Sequence, residues 1–296
     1  MMLETLTINS PAKLNLYLEV LKKRKDRYHN IKTIFERISL CDTILLKNRR
    51  DRKIRIICSN PAVPKDSSNL AYRAAALVRR SRHINQGLDI KIIKRIPIGA
   101  GLGGGSSNAA CVLIGLNRLW KLGLRQKELV KLSCQIGSDV AFFVYNTPFA
   151  LGEGRGERIK PLPGLCRVRL WHALIVAKIK VSTPFIYKKW DRNLRTFKLT
   201  TPKHNVKILT LAIRKNRLSL LAGMLVNDLE QVTLRLYPEV LRIRKRLADF
   251  GPKAILMSGS GPAVFAIVAS RKEAVSLVRK LAREESLSRV FAVETF

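Results

Sequence analysis

Between residues 12 and 20 the chain alternates. Leu14, Leu16, Leu18 and Val20 fall on one side; Lys13, Asn15, Tyr17 and Glu19 fall on the other. A repeat of two is the mark of a strand, so Lys13 and Asn15 project from one face. Residues 5–8, 42–47, 53–58 and 88–96 read as further strands. Residues 68–81 carry a helical pattern, and Ser68 or Asn69 can cap its start. A second helix follows the glycine-rich run at 99–107, with Ala109, Leu113, Leu116 and Leu119 or Trp120 at helical spacing and Gly123 as its stop. Another helix fits 126–136, and "SDVAFF" begins one more.

The stretch "LGEGRGERIKPLPG" at 151–164 is rich in glycine and proline and reads as a domain boundary. The expected parts are 1–155 and 156–296. Beyond it lie a strand at 173–179, several helices, and strands at 254–257 and 263–268 around "SGSGP". A helix over 271–284 and a final strand in "RVFAVETF" complete the pattern. Strands and helices mix without a steady βαβ rhythm, which predicts an α+β fold in two layers. No internal repeat stands out.

Composition narrows the class. A chain of 296 residues with 47% hydrophobic content can bury two ordinary cores. No apolar run is long enough for a bilayer, and the first residues lack the features of a signal peptide. Cys41, Cys58, Cys111, Cys134 and Cys166 are odd in number and form no CxxC pair. They suggest neither a disulfide framework nor a zinc site, and a cytoplasmic setting is expected. The formal charge of +35 admits three readings: generally basic surfaces, steering of an anionic substrate, or nucleic-acid binding. The basic clusters at 22–25, 49–53 and 79–82 have no aromatic residues interleaved with them, so a stacking platform is not expected there.

The chemistry centres on "PIGAGLGGGSSNAA", residues 97–110. No lysine precedes Ser106 or Ser107, so it is not the GxxxxGK[ST] loop. Gly99, Gly101 and Gly104 fit a dinucleotide GxGxxG, but the acidic ribose partner is missing about 20 residues on. A protein kinase would need a VAIK lysine and an HRD loop, and the "DFG" at 249–251 has neither beside it. What remains is a strand, a glycine turn and a helix start, an arrangement suited to phosphate. Ser106 and Ser107 could add hydroxyl donors or simply cap the helix.

The run at 97–110 closely resembles the second motif of the GHMP kinases. "PAKLNLYLEV" from residue 11, "RYHN" from 27, "IGSDVAFFV" from 136, "VSTPFIY" from 181, "NDLE" from 227 and "MSGSGPAVFA" from 257 extend the likeness through nearly the whole chain. The resemblance implies a ribosomal-S5-like N-terminal domain and a ferredoxin-like C-terminal domain. It implies transfer of phosphate from ATP, with Mg²⁺, to the 2-hydroxyl of 4-diphosphocytidyl-2-C-methyl-D-erythritol. Lys13 and Asp139 match catalytic positions; from the residues alone Asp139 is equally a helix cap. Pro97, Gly99, Ala100, Gly101, Leu102, Gly103, Gly104, Gly105, Ser106, Ser107 and Asn69 match the ATP site. Asn15, Tyr28, His29 and Tyr187 match the substrate site, with Tyr187 stacking on cytosine. Gly259, Ser260 and Gly261 match a third motif that shapes the site, and Asp228 reads as structural. No residue cluster suggests a protein cage for the metal, which is expected on the phosphates. Neither a membrane nor nucleic acid is an expected partner. The alternatives are another small-molecule kinase of this family or a basic nucleic-acid binder on the same fold. One departure stands out: Arg27 occupies the place before Tyr28–His29 where the family usually has glycine.

Overall fold

A computed structural model describes residues 5–196, 206–284 and 288–296. Its first sheet is built on two long antiparallel strands, β1 (Thr5–Lys23) and β2 (His29–Arg49). The two runs expected at 5–8 and 12–20 are one strand. Its register slips between Pro11 and Ala12, where proline has no N–H to give the ladder. β3 (Ile54–Ile57), α1 (Leu70–Ser81) and β4 (Gly87–Ile93) follow. Then come α2 (Gly104–Leu119), α3 (Gln126–Ser133) and α4 (Val140–Tyr145). The hairpin β5 (Phe149–Gly154) and β6 (Arg158–Pro161) pairs back onto β2. The boundary expected at 155/156 therefore falls within that hairpin's turn. Glycine and proline there mark a turn between paired strands, and the chain passes to the second sheet between Pro161 and Trp171.

The second part runs β7 (Trp171–Ala177), α5 (Thr183–Thr196), α6 (Val206–Arg214) and α7 (Leu218–Met224). It continues with the short β8 (Val226–Asn227), α8 (Glu230–Leu236) and α9 (Pro238–Asp249). β9 (Ala254–Met257), β10 (Ala263–Val268), α10 (Arg271–Glu284) and β11 (Ser288–Glu294) close it. The second sheet has the order β11-β7-β10-β9, antiparallel throughout. Numbered within the sheet this is 4-1-3-2, the ferredoxin-like arrangement. β8 leaves the second part to pair in parallel with β1. Among the described residues no helix is long and apolar enough to cross a membrane.

Three apolar clusters fill the space. One lies between the first sheet and α1–α4, with Ile44, Leu46, Leu113 and Phe142 fully buried. The second joins Leu14, Leu16 and Ile34 of the first sheet to Leu174 and Phe265 of the second. The third covers the second sheet with α9 and α10 through Val240, Leu247 and Leu281. β1 is thus covered on both faces, so the polar side of its alternation is buried too: Lys13, Asn15 and Tyr17 are all nearly inaccessible.

One polar pair pins the sheets together. Glu36 of β2 and His172 of β7 are both fully buried, with Nε2 2.9 Å from Oε1. Thr295 donates to the same carboxylate oxygen at 2.6 Å. Glu36 Oε2 and His172 Nδ1 have no partner among the described residues. Removing one member of such a pair strands the other in a dry interior. His172→Ala is expected to lower unfolding free energy by about 3–5 kcal/mol, read from urea denaturation followed by circular dichroism.

Candidate active site

β4 feeds the glycine run, and α2 leaves it. Gly99, Gly101 and Gly103 all have positive φ, at 69°, 75° and 68°. The need for glycine is sharpest at 101, where a Cβ would stand 2.3 Å from the Ser258 carbonyl oxygen. At 103 a Cβ would crowd the Lys13 stem at 3.0 Å. Gly103 is also the N-cap of α2 and supplies no side chain, so the first-turn N–H groups lack a side-chain cap. Those donors and the helix dipole suit a phosphate. Ala100 and Leu102 are buried in the core, and Pro97 is buried before them. Gly104 and Gly105 open the helix, and Ser106 stays partly accessible.

Ser107 does not join them. Its hydroxyl is fully buried and accepts from Ser10 at 2.8 Å. One step along a helix turns a side chain by about 100°, which carries Ser107 from the loop side to the core side. Asn69 is the N-cap of α1. Its Oδ1 accepts from Ala71 N at 2.9 Å and its Nδ2 donates to the Pro64 carbonyl at 2.7 Å. Both ends of that amide are in use.

Lys13 and Asn15 do share a face. Lys13 donates its ammonium to Asn15 Oδ1 at 2.5 Å and lies 3.7 Å from Asp139 Oδ2. Its backbone N–H donates to the Leu102 carbonyl at 3.0 Å, which fastens β1 to the glycine loop. The Lys13 side chain is only 5% exposed, whereas that of Asp139 is 30% exposed. Burial pushes the Lys13 ammonium below the ordinary lysine range, and the Asp139 carboxylate opposes that shift. Asp139 sits at the start of α4 but makes no capping hydrogen bond. Asn15 turns its other end to Thr33 Oγ1, at 2.8 Å. The turn of the β5–β6 hairpin closes over this group: a Cβ at Gly156 would stand 3.5 Å from Asp139 Oδ1.

The third motif backs the loop. Ser258 Oγ accepts from Asn15 N and donates to the Gly101 carbonyl, both at 3.3 Å. Three residues not singled out in the sequence hold that motif. Asn227 donates to the carbonyls of Met257 and Gly259, at 2.7 and 2.8 Å. Thr183 meets Ser260 hydroxyl to hydroxyl at 2.7 Å, and Thr233 donates to the Ser260 carbonyl at 3.2 Å. Asn227 and Thr183 lie inside "NDLE" and "VSTPFIY", so the motifs held the signal although the individual residues did not. Asp228 accepts from Val20 N at 2.7 Å.

The aromatic group forms beside it. His29 stacks on Tyr187, with centroids 5.1 Å apart and planes 19° off parallel. Trp190 meets the imidazole edge-on at 5.6 Å, and Asp191 Oδ1 lies 2.7 Å from Nε2. Burial, with Asp139 and Asp228 nearby, pushes the Tyr187 hydroxyl above its usual range. Tyr28 is 56% exposed, and the Arg155 guanidinium lies over its ring at 5.1 Å. Trp190 and Asp191 gave no motif signal.

Comparison with known proteins gives the family and the fold. Residues 69–147 match the GHMP kinases N terminal domain, and 209–286 match the GHMP kinases C terminal domain. The chain is 46% identical to 4-diphosphocytidyl-2-C-methyl-D-erythritol kinase of Geobacillus kaustophilus, over 89% of this chain and 88% of that one. It is 40% identical to the protein of the same name from Gloeobacter violaceus, over 96% and 93%. A crystal structure of 4-(cytidine 5'-diphospho)-2C-methyl-D-erythritol kinase superimposes with a TM-score of 0.81 at 31% identity, over 98% of both chains. L. major mevalonate kinase superimposes at 0.77 with 17% identity, over 99% of this chain and 96% of that one, a likeness of fold.

Arg27 adopts φ +67°, the conformation that glycine takes without strain. The loop thus keeps a glycine-type shape despite the arginine. For an L-residue with a long side chain that shape costs about 1–2 kcal/mol. Arg27→Gly is expected to stabilise the protein by about 1 kcal/mol after the larger chain entropy of glycine is deducted, measured as a raised midpoint in urea.

Proposed function

The chain belongs to the GHMP kinase family, and we propose that it transfers the γ-phosphoryl group of ATP to the 2-hydroxyl of 4-diphosphocytidyl-2-C-methyl-D-erythritol. The observation that carries the chemistry is the Lys13–Asp139 pair, 3.7 Å apart, which joins a strand bonded to the glycine loop to the start of α4. The relatives' shared name carries the choice of alcohol.

In this reading the first turn of α2 and the glycine backbone take the ATP phosphates. Asp139 accepts the proton of the attacking hydroxyl. The new bond joins that oxygen to the γ-phosphorus, the bond from the γ-phosphorus to the bridging oxygen breaks, and ADP leaves. Lys13, held by Asn15, orients the carboxylate and supplies positive charge where negative charge gathers. Asp139, the more open of the two side chains, takes the base role, and Lys13 stays buried behind it. His29 and Tyr187 form the recognition surface for the cytosine, and Tyr28 stands at its open side.

Mg²⁺ would supply positive charge against the phosphates in this chemistry. Among the described residues no group of three His, Cys, Asp or Glu side chains could hold a metal alone. A cation carried on phosphates needs few protein ligands. The Ser106 hydroxyl at the head of α2 and the accessible edge of Asp139 are the oxygens suited to it. All five cysteines are free, which fits a reducing compartment, and we assign the reaction to the cytoplasm.

ADP release should be fastest with the cytidylated substrate in a panel with mevalonate, homoserine and galactose. Faster release with another alcohol would overturn the substrate assignment. Asp139→Asn should lower kcat by about 10²–10⁴-fold while nucleotide binding persists; turnover near wild type would remove Asp139 from the base role. Tyr187→Ala should raise KM for the cytidylated substrate by about 5–100-fold through lost stacking. An equal rise in KM for ATP would count against that role.

A further inference from the structure

Beneath the glycine loop lies a carboxylate that the chemistry above does not use. Asp42 of β2 is fully buried and gathers four donors. Its Oδ1 accepts from the backbone N–H groups of Arg95 and Ile96, at 2.8 and 2.9 Å. Its Oδ2 accepts from Asn108 Nδ2 at 2.9 Å and from the Lys94 ammonium. Asn108 Nδ2 also donates to Ser10 Oγ at 2.8 Å, and Ser10 donates on to Ser107. Ser10 stands directly opposite Asp42 in the β1–β2 ladder.

The four donors come from two sides of the loop. Lys94, Arg95 and Ile96 carry the chain out of β4 toward it. Asn108 and Ser107 lie at the start of the helix that leaves it. One carboxylate therefore ties the loop's entrance, its exit and the strand bearing Lys13. Lys94 reaches far enough that a Cβ on Gly104 would stand 2.9 Å from its Nζ. Its charge is held at the head of α2, beside first-turn N–H groups that have no side-chain cap. Its side chain is 8% exposed, so this cation is fixed by Asp42 and not by solvent.

We propose that Asp42 is a positioning residue for the nucleotide: it sets the spacing between the two ends of the phosphate loop and anchors Lys94 beneath it. Asp42 touches no reacting atom. It acts through backbone N–H groups and through Lys94, so its loss should fall on ATP and spare the alcohol. This rests on the kinase reading, which wild-type ADP release tests by itself.

Asp42→Asn keeps an oxygen for the two backbone donors but loses the charge that holds Lys94. Asp42→Ala loses all four bonds. KM for ATP should rise in the order wild type, Asn, Ala, reaching about tenfold or more, while KM for the cytidylated substrate stays within about twofold. A binding readout without turnover uses two probes, a non-hydrolysable ATP analogue and CDP. The thermal shift given by the analogue should shrink in both variants, and that given by CDP should persist. If Asp42→Ala fails to fold, Asn108→Ala removes one of the four donors to Asp42 together with the link to Ser10 and should show the same split more weakly. Folded variants with unchanged KM for ATP would overturn the proposal. So would equal losses for both ligands, which would mark Asp42 as a general stabiliser.

Discussion

A lysine ammonium does not stay buried alone. Lys13 is 5% exposed; burial pushes its ammonium below the ordinary lysine range, and Asp139 opposes that shift while Asn15 accepts its hydrogen bond. Desolvating a charge costs several kcal/mol unless a partner compensates. That requirement brings together a strand, a loop and a helix start that lie far apart in sequence. Asp139 remains more open than its partner, so the pair has one sheltered end and one accessible end. A fully exposed pair would be weak and mobile. A fully buried one would have no access to a hydroxyl.

The rest of the site is arranged to keep that pair in register with the glycine loop. The Lys13 N–H fastens β1 to Leu102, and Ser258 fastens both β1 and Gly101 to the second half of the chain. β8 crosses from the second part to pair with β1, and Asn227 on it holds the Ser258 turn. The two sheets are therefore parts of one site. The apolar cluster between them and the Glu36–His172 pair act in the same direction, against any sliding of β2 over β7.

Patterned features were legible in the sequence. Alternation in β1 placed Lys13 and Asn15 on one face, and the strands at 254–257 and 263–268 and the helix at 271–284 lie where periodicity predicts them. Local turn chemistry was ambiguous. The glycines and prolines of 151–164 read as a linker, but a hairpin uses the same residues, and only pairing with β2 distinguishes the two. Ser106 and Ser107 read alike, and only the rotation of the helix separates them. The pairings of several polar residues with distant partners gave no signal. Asp42 meets Asn108, Glu36 meets His172, and His29 meets Asp191 across 66, 136 and 162 positions. No spacing rule connects them, because the fold itself sets those distances.

The charge distribution at the loop follows from what a phosphate needs. The loop carries no ionised side chain between Ile96 and Ser107, so its donors are backbone N–H groups whose directions the chain conformation sets. Glycine allows them to converge but also leaves them loose, since it has the most conformational freedom to lose. The compensating order comes from outside: Ser258 on one side, Lys13 on another, Asp42 beneath. Cations tethered beneath the loop keep positive potential in place without adding charge to the loop itself. A loop with its own lysines would need no such frame, but its charge would move with every fluctuation of the backbone. Here the backbone donors and the charge are carried by different residues, so each is held in place by its own partners.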